Sequence, residues 1–343
     1  MQHWKDGGHD KLCKLIKKAG GAEQYNANKK YTEAVAAAVE KCADDTKGQT
    51  CYICTQALHW KTKEGLVRGC SCRGTAGFAH VSCLAEQAKI LFAEAEENNL
   101  GDKAINERFQ RWYTCSLCEQ EYHGAVRCAL GWACWKTYVG RRETDQVRYL
   151  AMTELGIGLS EAEHHEDALT VQEAHLSTMR RLGVSQDNIL AAQSNLANTY
   201  RMLGRFEEAV RMQRVAYYGL VRLYGEEHAC ALSEAGNYAG ILLTQGRFDE
   251  AKSLSRKTVP VMRRVLGDSH ELTLKIRWLY ALALCRDPTA TLDDLRESVT
   301  TLGDVERTAR RVFGGAHPLV LQIEEALREA QAALHARASR DEA

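Results

Sequence analysis

From about residue 146 onward, apolar residues recur at the three- and four-residue intervals of a helix that buries one face, and these segments come in pairs. LGRFEEAV (Leu203 to Val210) returns as QGRFDEAK (Gln245 to Lys252), and Gly183, Gly225 and Gly267 keep the same 42-residue spacing. Each unit is broken once by a Gly-Arg turn and once by a Gly-x-x-His loop, which predicts a pair of antiparallel helices. Small residues hold fixed places (Ala197 and Ala239, Ala209 and Ala251) and let helix backbones approach, while Leu196, Tyr200, Phe206 and Phe248 fill between layers. A single pair cannot bury its apolar face alone, so the pairs are expected to stack. The fourth unit is stretched, with Gly267 and Gly314 separated by 47 residues and Leu279 at the asparagine position.

Ahead of the repeats, HGAVRCALGWACWKTYVG (His123 to Gly140) is apolar on two sides of a helix, Val126, Leu130, Cys134 and Tyr138 on one and Cys128, Trp132, Trp135 and Val139 on another. Such a helix is buried, and it is expected to be clamped between its neighbours as a stiff junction, with Cys128 and Cys134 as core residues. LAEQAKILFAEAEENN (Leu84 to Asn99) and YTEAVAAAVEKC (Tyr31 to Cys42) also read as helices, Cys42 packing in the second.

Composition adds limits to this pattern. The 343 residues carry 45 Lys plus Arg against 45 Asp plus Glu. Neither charge forms a long block, so electrostatics imply no nucleic-acid or membrane-surface partner. Apolar stretches such as Trp278 to Cys285 fall far short of the roughly 20 residues a spanning helix needs. With no secretory signal at Met1, the expected setting is intracellular, cytoplasmic and reducing, where clustered cysteines are more often metal ligands than disulfides. No general-base pair, nucleophile arrangement or phosphate loop stands out, and KDGGHD (Lys5 to Asp10) has no strand before it.

Seven of the thirteen cysteines lie between Cys51 and Cys118. They form CYIC (Cys51, Cys54), CSC (Cys70, Cys72), HVSC (His80, Cys83) and CSLC (Cys115, Cys118). Four close pairs give eight ligands, the count for two closed tetrahedral zinc sites with no open position. Gly69, Gly74 and Gly77 allow tight turns around an ion. The His228, His270 and His317 series recurs with its loop, and stacked layers roughly 10 Å apart would hold these residues too far from one another to share a metal. HHED (His164 to Asp167) falls at an inter-helix turn and is not read as a site.

The ligand order, with C-x-C-x7-H-x2-C from Cys70 to Cys83, resembles the RING-CH (RING-variant) finger of ubiquitin ligases; a PHD finger, which shares the order, is the runner-up. The resemblance implies interleaved sites, Cys51, Cys54, His80 and Cys83 around one zinc and Cys70, Cys72, Cys115 and Cys118 around the other. Crossing of this kind ties distant segments together, so the two ions are expected to substitute for a hydrophobic core. The 31 residues between Cys83 and Cys115 form a longer gap than the family's usual one and hold the predicted helical insertion. RING-type ligases share an apolar residue inside the first pair, supplied here by Ile53. They also share a tryptophan after the sixth ligand and often a proline in the last pair followed by a basic residue; here Gln87, Ser116, Leu117 and Glu119 stand instead.

Two further resemblances complete the sequence reading. His9 and Cys13, preceded by HW (His3, Trp4), are similar to the closing half of a MYND zinc finger whose six upstream cysteines this sequence does not contain. SNLANTYRMLGRFEEA (Ser194 to Ala209) is similar to tetratricopeptide repeats of the kinesin light chain variety, which bind extended peptides or helices on a concave face. In that resemblance Asn195 and Asn237 stand where related repeats hold a ligand backbone, with Asn198 and Arg201 nearby. The expected architecture is mainly α, a cross-braced zinc finger module followed by an α-α superhelical, TPR-like solenoid. Its expected divisions are 1–47 (MYND-like remnant plus helix), 48–122 (RING-CH-like finger), 123–145 (buried bridging helix), 146–318 (about four hairpins) and 319–343 (capping helix and tail). Two functions are expected. One is a RING-CH-type E3 ubiquitin ligase whose finger engages a ubiquitin-conjugating enzyme while the repeats hold substrate. The other is a non-catalytic zinc-finger/TPR scaffold with protein partners only.

Overall fold

The computed structural model describes residues 9–341. It is mainly α and divides into two compact units, Met1–Leu182 and Gly183–Ala343. Met1 to Gly8, with the HW that opens the MYND-like segment, lie outside the described residues.

In the first unit, α1 (His9–Ala19) and α2 (Ala22–Lys41) precede a loop-rich segment carrying the eight predicted ligands. That segment is interrupted by α3 (Val81–Glu97), α4 (Asp102–Phe109) and a 3-10 turn (Gln110–Trp112), and is followed by α5 (Gly124–Tyr138), α6 (Gln146–Glu161) and α7 (His165–Leu182). Regular pairing in the loops is limited to two antiparallel bridges, Val67 with Ala79 and Thr114 with Glu121.

The expectation that ions stand in for a hydrophobic core does not hold. Phe78, Phe92, Phe109, Trp112 and Tyr122 pack with Val35, Leu84, Leu130 and Tyr138 in one buried cluster, so the loops share a core with α2, α3 and α5. Phe92 meets Phe109 and Tyr138 edge-on at 5.6 Å, and Trp112 meets Tyr138 at 5.7 Å. The helical insertion explains the difference, because it brings Phe92, Phe109 and Trp112 to the back of the loops.

Helix α5 is buried on most of its circumference, Cys128 and Cys134 included, because it is enclosed on several sides. It meets α6 at backbone distance. A methyl group on Gly131 would lie 2.8 Å from the carbonyl oxygen of Glu154, and one on Gly158 2.8 Å from that of Arg127. The two helices therefore notch into each other through reciprocal glycines, and Asp145 caps α6 by accepting from the Val147 amide.

The second unit runs α8 (Gln186–Met202), α9 (Phe206–Tyr224), α10 (Ala229–Thr244), α11 (Phe248–Val265), α12 (Glu271–Cys285), α13 (Leu292–Phe313) and α14 (Pro318–Asp341). Ala197, Ala209, Ala239 and Ala251 are buried at the close-packed positions. The Gly-x-x-His loops have a specific task. His228, His270 and His317 each accept the amide of the residue two positions on through Nδ1, at 3.3, 3.2 and 3.2 Å, so a histidine does the work usually given to Ser or Asp at a helix start. The stretch in the fourth unit lies in the longer turn 286–291 and in the 22-residue α13, whose start carries a Thr291–Asp294 capping box.

Candidate metal centre

Two turns of identical design carry the outer ligand pairs. The Cys51 amide donates to the Gln56 carbonyl and the Thr55 amide to that of Cys51. At the other end, the Cys115 amide donates to Gln120 and the Glu119 amide to Cys115. In each turn an inner amide, of Ile53 or of Leu117, points at the first sulfur, at 3.4 and 3.5 Å. The turns close on a left-handed residue, Thr55 at φ 62° and Glu119 at φ 57°. An amide aimed at sulfur favours the thiolate, the form a metal binds.

The inner pairs are brought in by the Val67–Ala79 bridge, which sets the Cys70 loop beside the start of α3, where His80 is the N-cap residue and Cys83 lies in the first turn. Gly77, at φ 83°, passes directly over this loop: a β-carbon there would fall 2.5 Å from that of Cys72 and 3.2 Å from the Cys70 sulfur. Only glycine fits.

The result is two groups among the described residues, Cys51, Cys54, His80 and Cys83, and Cys70, Cys72, Cys115 and Cys118. Within each, the ligand atoms all lie within 4.8 Å of one another, and every cysteine is free. A zinc tetrahedron with bonds of about 2.3 Å to sulfur and about 2.0 Å to nitrogen requires sulfurs about 3.8 Å apart and nitrogen about 3.5 Å from sulfur. Cys72 and Cys115 stand at 3.8 Å, and His80 Nδ1 at 3.4 Å from Cys54 and 3.6 Å from Cys83. The donor sets fit zinc, and a bound ion would fix these loops as a structural clamp.

Protonation chemistry agrees. His80 Nε2 lies 3.3 Å from the Ala57 carbonyl, which only accepts, so that nitrogen carries the hydrogen and Nδ1 offers its lone pair to the sulfurs. Burial holds the imidazole neutral by lowering its pKa. In the second group the Cys70 thiol hydrogen-bonds Cys115, pulling Cys115 down to about 4 and pushing Cys70 far up, while burial lifts Cys72 to about 12. These thiols cannot all ionise without a cation among them, and a dication would replace the shared protons.

Residues 51–118 match the RING-variant domain model, and residues 189–230 and 235–271 the tetratricopeptide repeat. Residues 51–118 form a RING-variant domain. No curated protein matches this chain. Among solved structures, the chain is similar to a Podosopora anserina protein described as a kinesin light chain with nearly identical TPR-like repeats. A singly substituted form of that protein has 17% identity over 68% of this chain and 97% of that one, with a TM-score of 0.43. The form without the substitution gives 17%, 68%, 97% and 0.41. BtubC (BKLC) from P. vanneervenii shows 13% identity over 76% of this chain and 88% of its own, with a TM-score of 0.40.

Around the RING-variant ligands, Ile53 sits exposed at the tip of the first turn. It lines a cavity of about 400 Å³ with His59, Trp60, Gln87, Ile90 and Leu91. Ligand spacing does not single out Trp60, because it puts the expected aromatic near Gln87. A local signal is nonetheless present, since HWKTKE (His59 to Glu64) follows the same turn grammar as CYICTQ. The His59 amide donates to Glu64, the Lys63 amide donates to His59, Lys63 has φ 59°, and the Thr62 amide points at His59 Nδ1 at 3.1 Å. It is a third knuckle with imidazole and hydroxyl in place of thiols.

Of the residues read as a peptide groove, Asn195 is half-buried and Asn198 accepts from Arg201 at 2.8 Å. Asn237 faces a buried network: its amide donates to Ser194 at 3.3 Å and to Glu234 at 3.4 Å, and its oxygen accepts from Lys275 at 3.4 Å. Cys13 is exposed on α1, and neither group able to hold a metal includes it. No described helix is long and apolar enough to cross a membrane.

Proposed function

We propose that the chain is a RING-CH-type E3 ubiquitin ligase whose finger receives a ubiquitin-charged conjugating enzyme and whose helical pairs, residues 146–318, hold the substrate protein. The observation that carries this reading is the apolar cavity at Ile53, where Trp60 supplies the aromatic surface that the helix position Gln87 lacks. In this scheme no side chain of the chain attacks the thioester. Cys51, Cys54, His80 and Cys83 hold one zinc and Cys70, Cys72, Cys115 and Cys118 the other, so that Ile53 and Trp60 stay fixed as a docking edge. Ile53 is the first partner contact on the finger, and Asn195, Asn198, Arg201 and Asn237 line the peptide side of the repeats, Asn237 by ordering its neighbours.

The test is discharge of ubiquitin from a panel of charged conjugating enzymes by the zinc-loaded chain. Discharge with at least one enzyme, lost in Cys70→Ala and in Ile53→Ala, is the expected outcome; no discharge with any enzyme from a protein holding both zinc ions would defeat it. A scaffold without transfer activity is the second reading. It is favoured by Glu119, an anion directly after the last ligand, and by Ser116, whose hydroxyl is tied to Tyr52 at 3.0 Å where ligases often carry proline.

A further inference from the structure

The Ile53 cavity does not stop at the finger. Through His59, Trp60, Ser82 and Glu86 it runs into a larger groove of about 840 Å³ whose far side is made by Gln24, Asn28 and Tyr31 of α2 and by Lys136 of α5. Lys61 and Lys89 complete its rim. Three lysines thus face one surface carboxylate, Glu86, which lies 3.3 Å from Lys89. A second carboxylate, Glu64, acts on Lys136 electrostatically without reaching it, since its two oxygens accept from the Ser82 amide at 2.7 Å and the Ser82 hydroxyl at 2.8 Å.

The ammonium of Lys136 stands 3.5 Å over the Tyr31 ring, and among the described residues neither it nor Lys61 meets a carboxylate at ion-pair distance. Burial lowers the Lys136 pKa, and the Glu64 charge offsets that only in part. Its place is fixed, for Gln24 donates to the Lys136 carbonyl at 2.9 Å and the Tyr31 hydroxyl meets Ser82 at 3.1 Å. Lys61 is equally well placed. In the metal-free knuckle it holds the position that Ile53 holds in the first zinc knuckle, so its backbone is set by the same two hydrogen bonds.

We propose that this basic groove, formed where the RING-variant domain packs against α2 and α5, takes an acidic, extended segment of the conjugating enzyme whose apolar contact seats on Ile53 and Trp60. The proposal rests on the ligase reading for the partner's identity, and charge complementarity sets the chemistry of the segment. Apolar anchoring beside an unpaired pair of lysines gives affinity at the first site and steering and register at the second.

The experiment measures binding of the zinc-loaded full chain to the same panel of conjugating enzymes, at low and high salt, for wild type, Ile53→Ala, Lys61→Glu/Lys136→Glu and the conservative Lys61→Arg/Lys136→Arg. Zinc content and circular dichroism confirm folding of each. The expected result is binding abolished by Ile53→Ala, weakened at least tenfold and made nearly salt-independent by the double glutamate, and kept by the double arginine. Wild-type binding by the double glutamate, with Ile53→Ala still defective, would overturn the groove and leave the ligase reading standing. If no conjugating enzyme binds the wild type, the ligase reading fails, and the groove is then judged with a synthetic Asp/Glu-rich peptide containing one leucine. Binding lost in the double glutamate supports an acid-binding groove, and no binding by wild type overturns it.

Discussion

Arg127 of α5 reaches Glu154 of α6 at 2.6 Å with side chains only 4% and 11% exposed, while its guanidinium lies 4.7 Å from the centre of the Tyr113 ring, two residues before the zinc ligand Cys115. Breaking one side strands a charge in the core, whereas replacing both removes the desolvation cost. Glu154→Ala is expected to destabilise the first unit by about 3–5 kcal/mol, and Arg127→Met/Glu154→Leu to recover most of that loss. Denaturant titration with hydrogen exchange on α5 and α6 reads the difference. A double variant as unstable as the single one would show that the pair does more than satisfy its own charges.

Metal removal separates the loops from the helices. Because Phe78, Phe92, Trp112 and Tyr122 share a core with α2, α3 and α5, chelation is expected to release two zinc ions per chain and to lose protection in residues 51–80 and 113–122 while most helical dichroism remains. Gly77→Ala is a milder probe. Its new methyl must displace Cys72, so the second ion should compete with a chelator at least tenfold less well while the first is held as in wild type. Elemental analysis finding fewer than two ions in the native protein would refute the pairing.

The two Cys/His groups were legible in the sequence because coordination chemistry is written in spacing: a pair with two residues between is already a turn, as at Cys51 to Cys54. The paired helices were legible for a similar reason, their glycines and alanines recurring with the chain. The shared core was not. Phe78, Phe92, Trp112 and Leu130 are far apart in sequence and have no common period, so only the fold unites them. The knuckle at His59 left only a faint trace in HWKTKE, because its hydrogen bonds copy those of the neighbouring turns without their thiols.

His175, on α7, is almost wholly buried, stacked near Tyr149 at 6.4 Å, and burial lowers its pKa from 6.5 to about 4. A lowered folded-state value means that the unfolded chain binds the proton first, so stability is fully present above pH 6.5 and falls as pH drops towards 4. The loss amounts to about 3 kcal/mol at most. Carboxylates titrate in part of the same window, so the measurement is the difference between wild type and His175→Leu in denaturant midpoint from about pH 7.5 to about pH 4. The variant should lack the slope between 6.5 and 4; parallel curves would place the sensitivity elsewhere.

The loop histidines carry the last prediction. His270 Nδ1 accepts the Leu272 amide only while that nitrogen is unprotonated, and His228 and His317 repeat the arrangement while stacking on Tyr224 at 4.5 Å and Phe313 at 4.8 Å. Losing such a cap costs about 1 kcal/mol, so His270→Ala should lower the stability of the second unit by that amount and fray the first turn of α12. His270→Asp restores an acceptor and adds a negative charge at the positive end of the helix, so it should recover the loss. The two variants distinguish a capping role from simple packing, because aspartate replaces the hydrogen bond but not the imidazole's surface. If His270→Asp is as unstable as His270→Ala, ring packing rather than the accepted amide fixes the histidine in this loop.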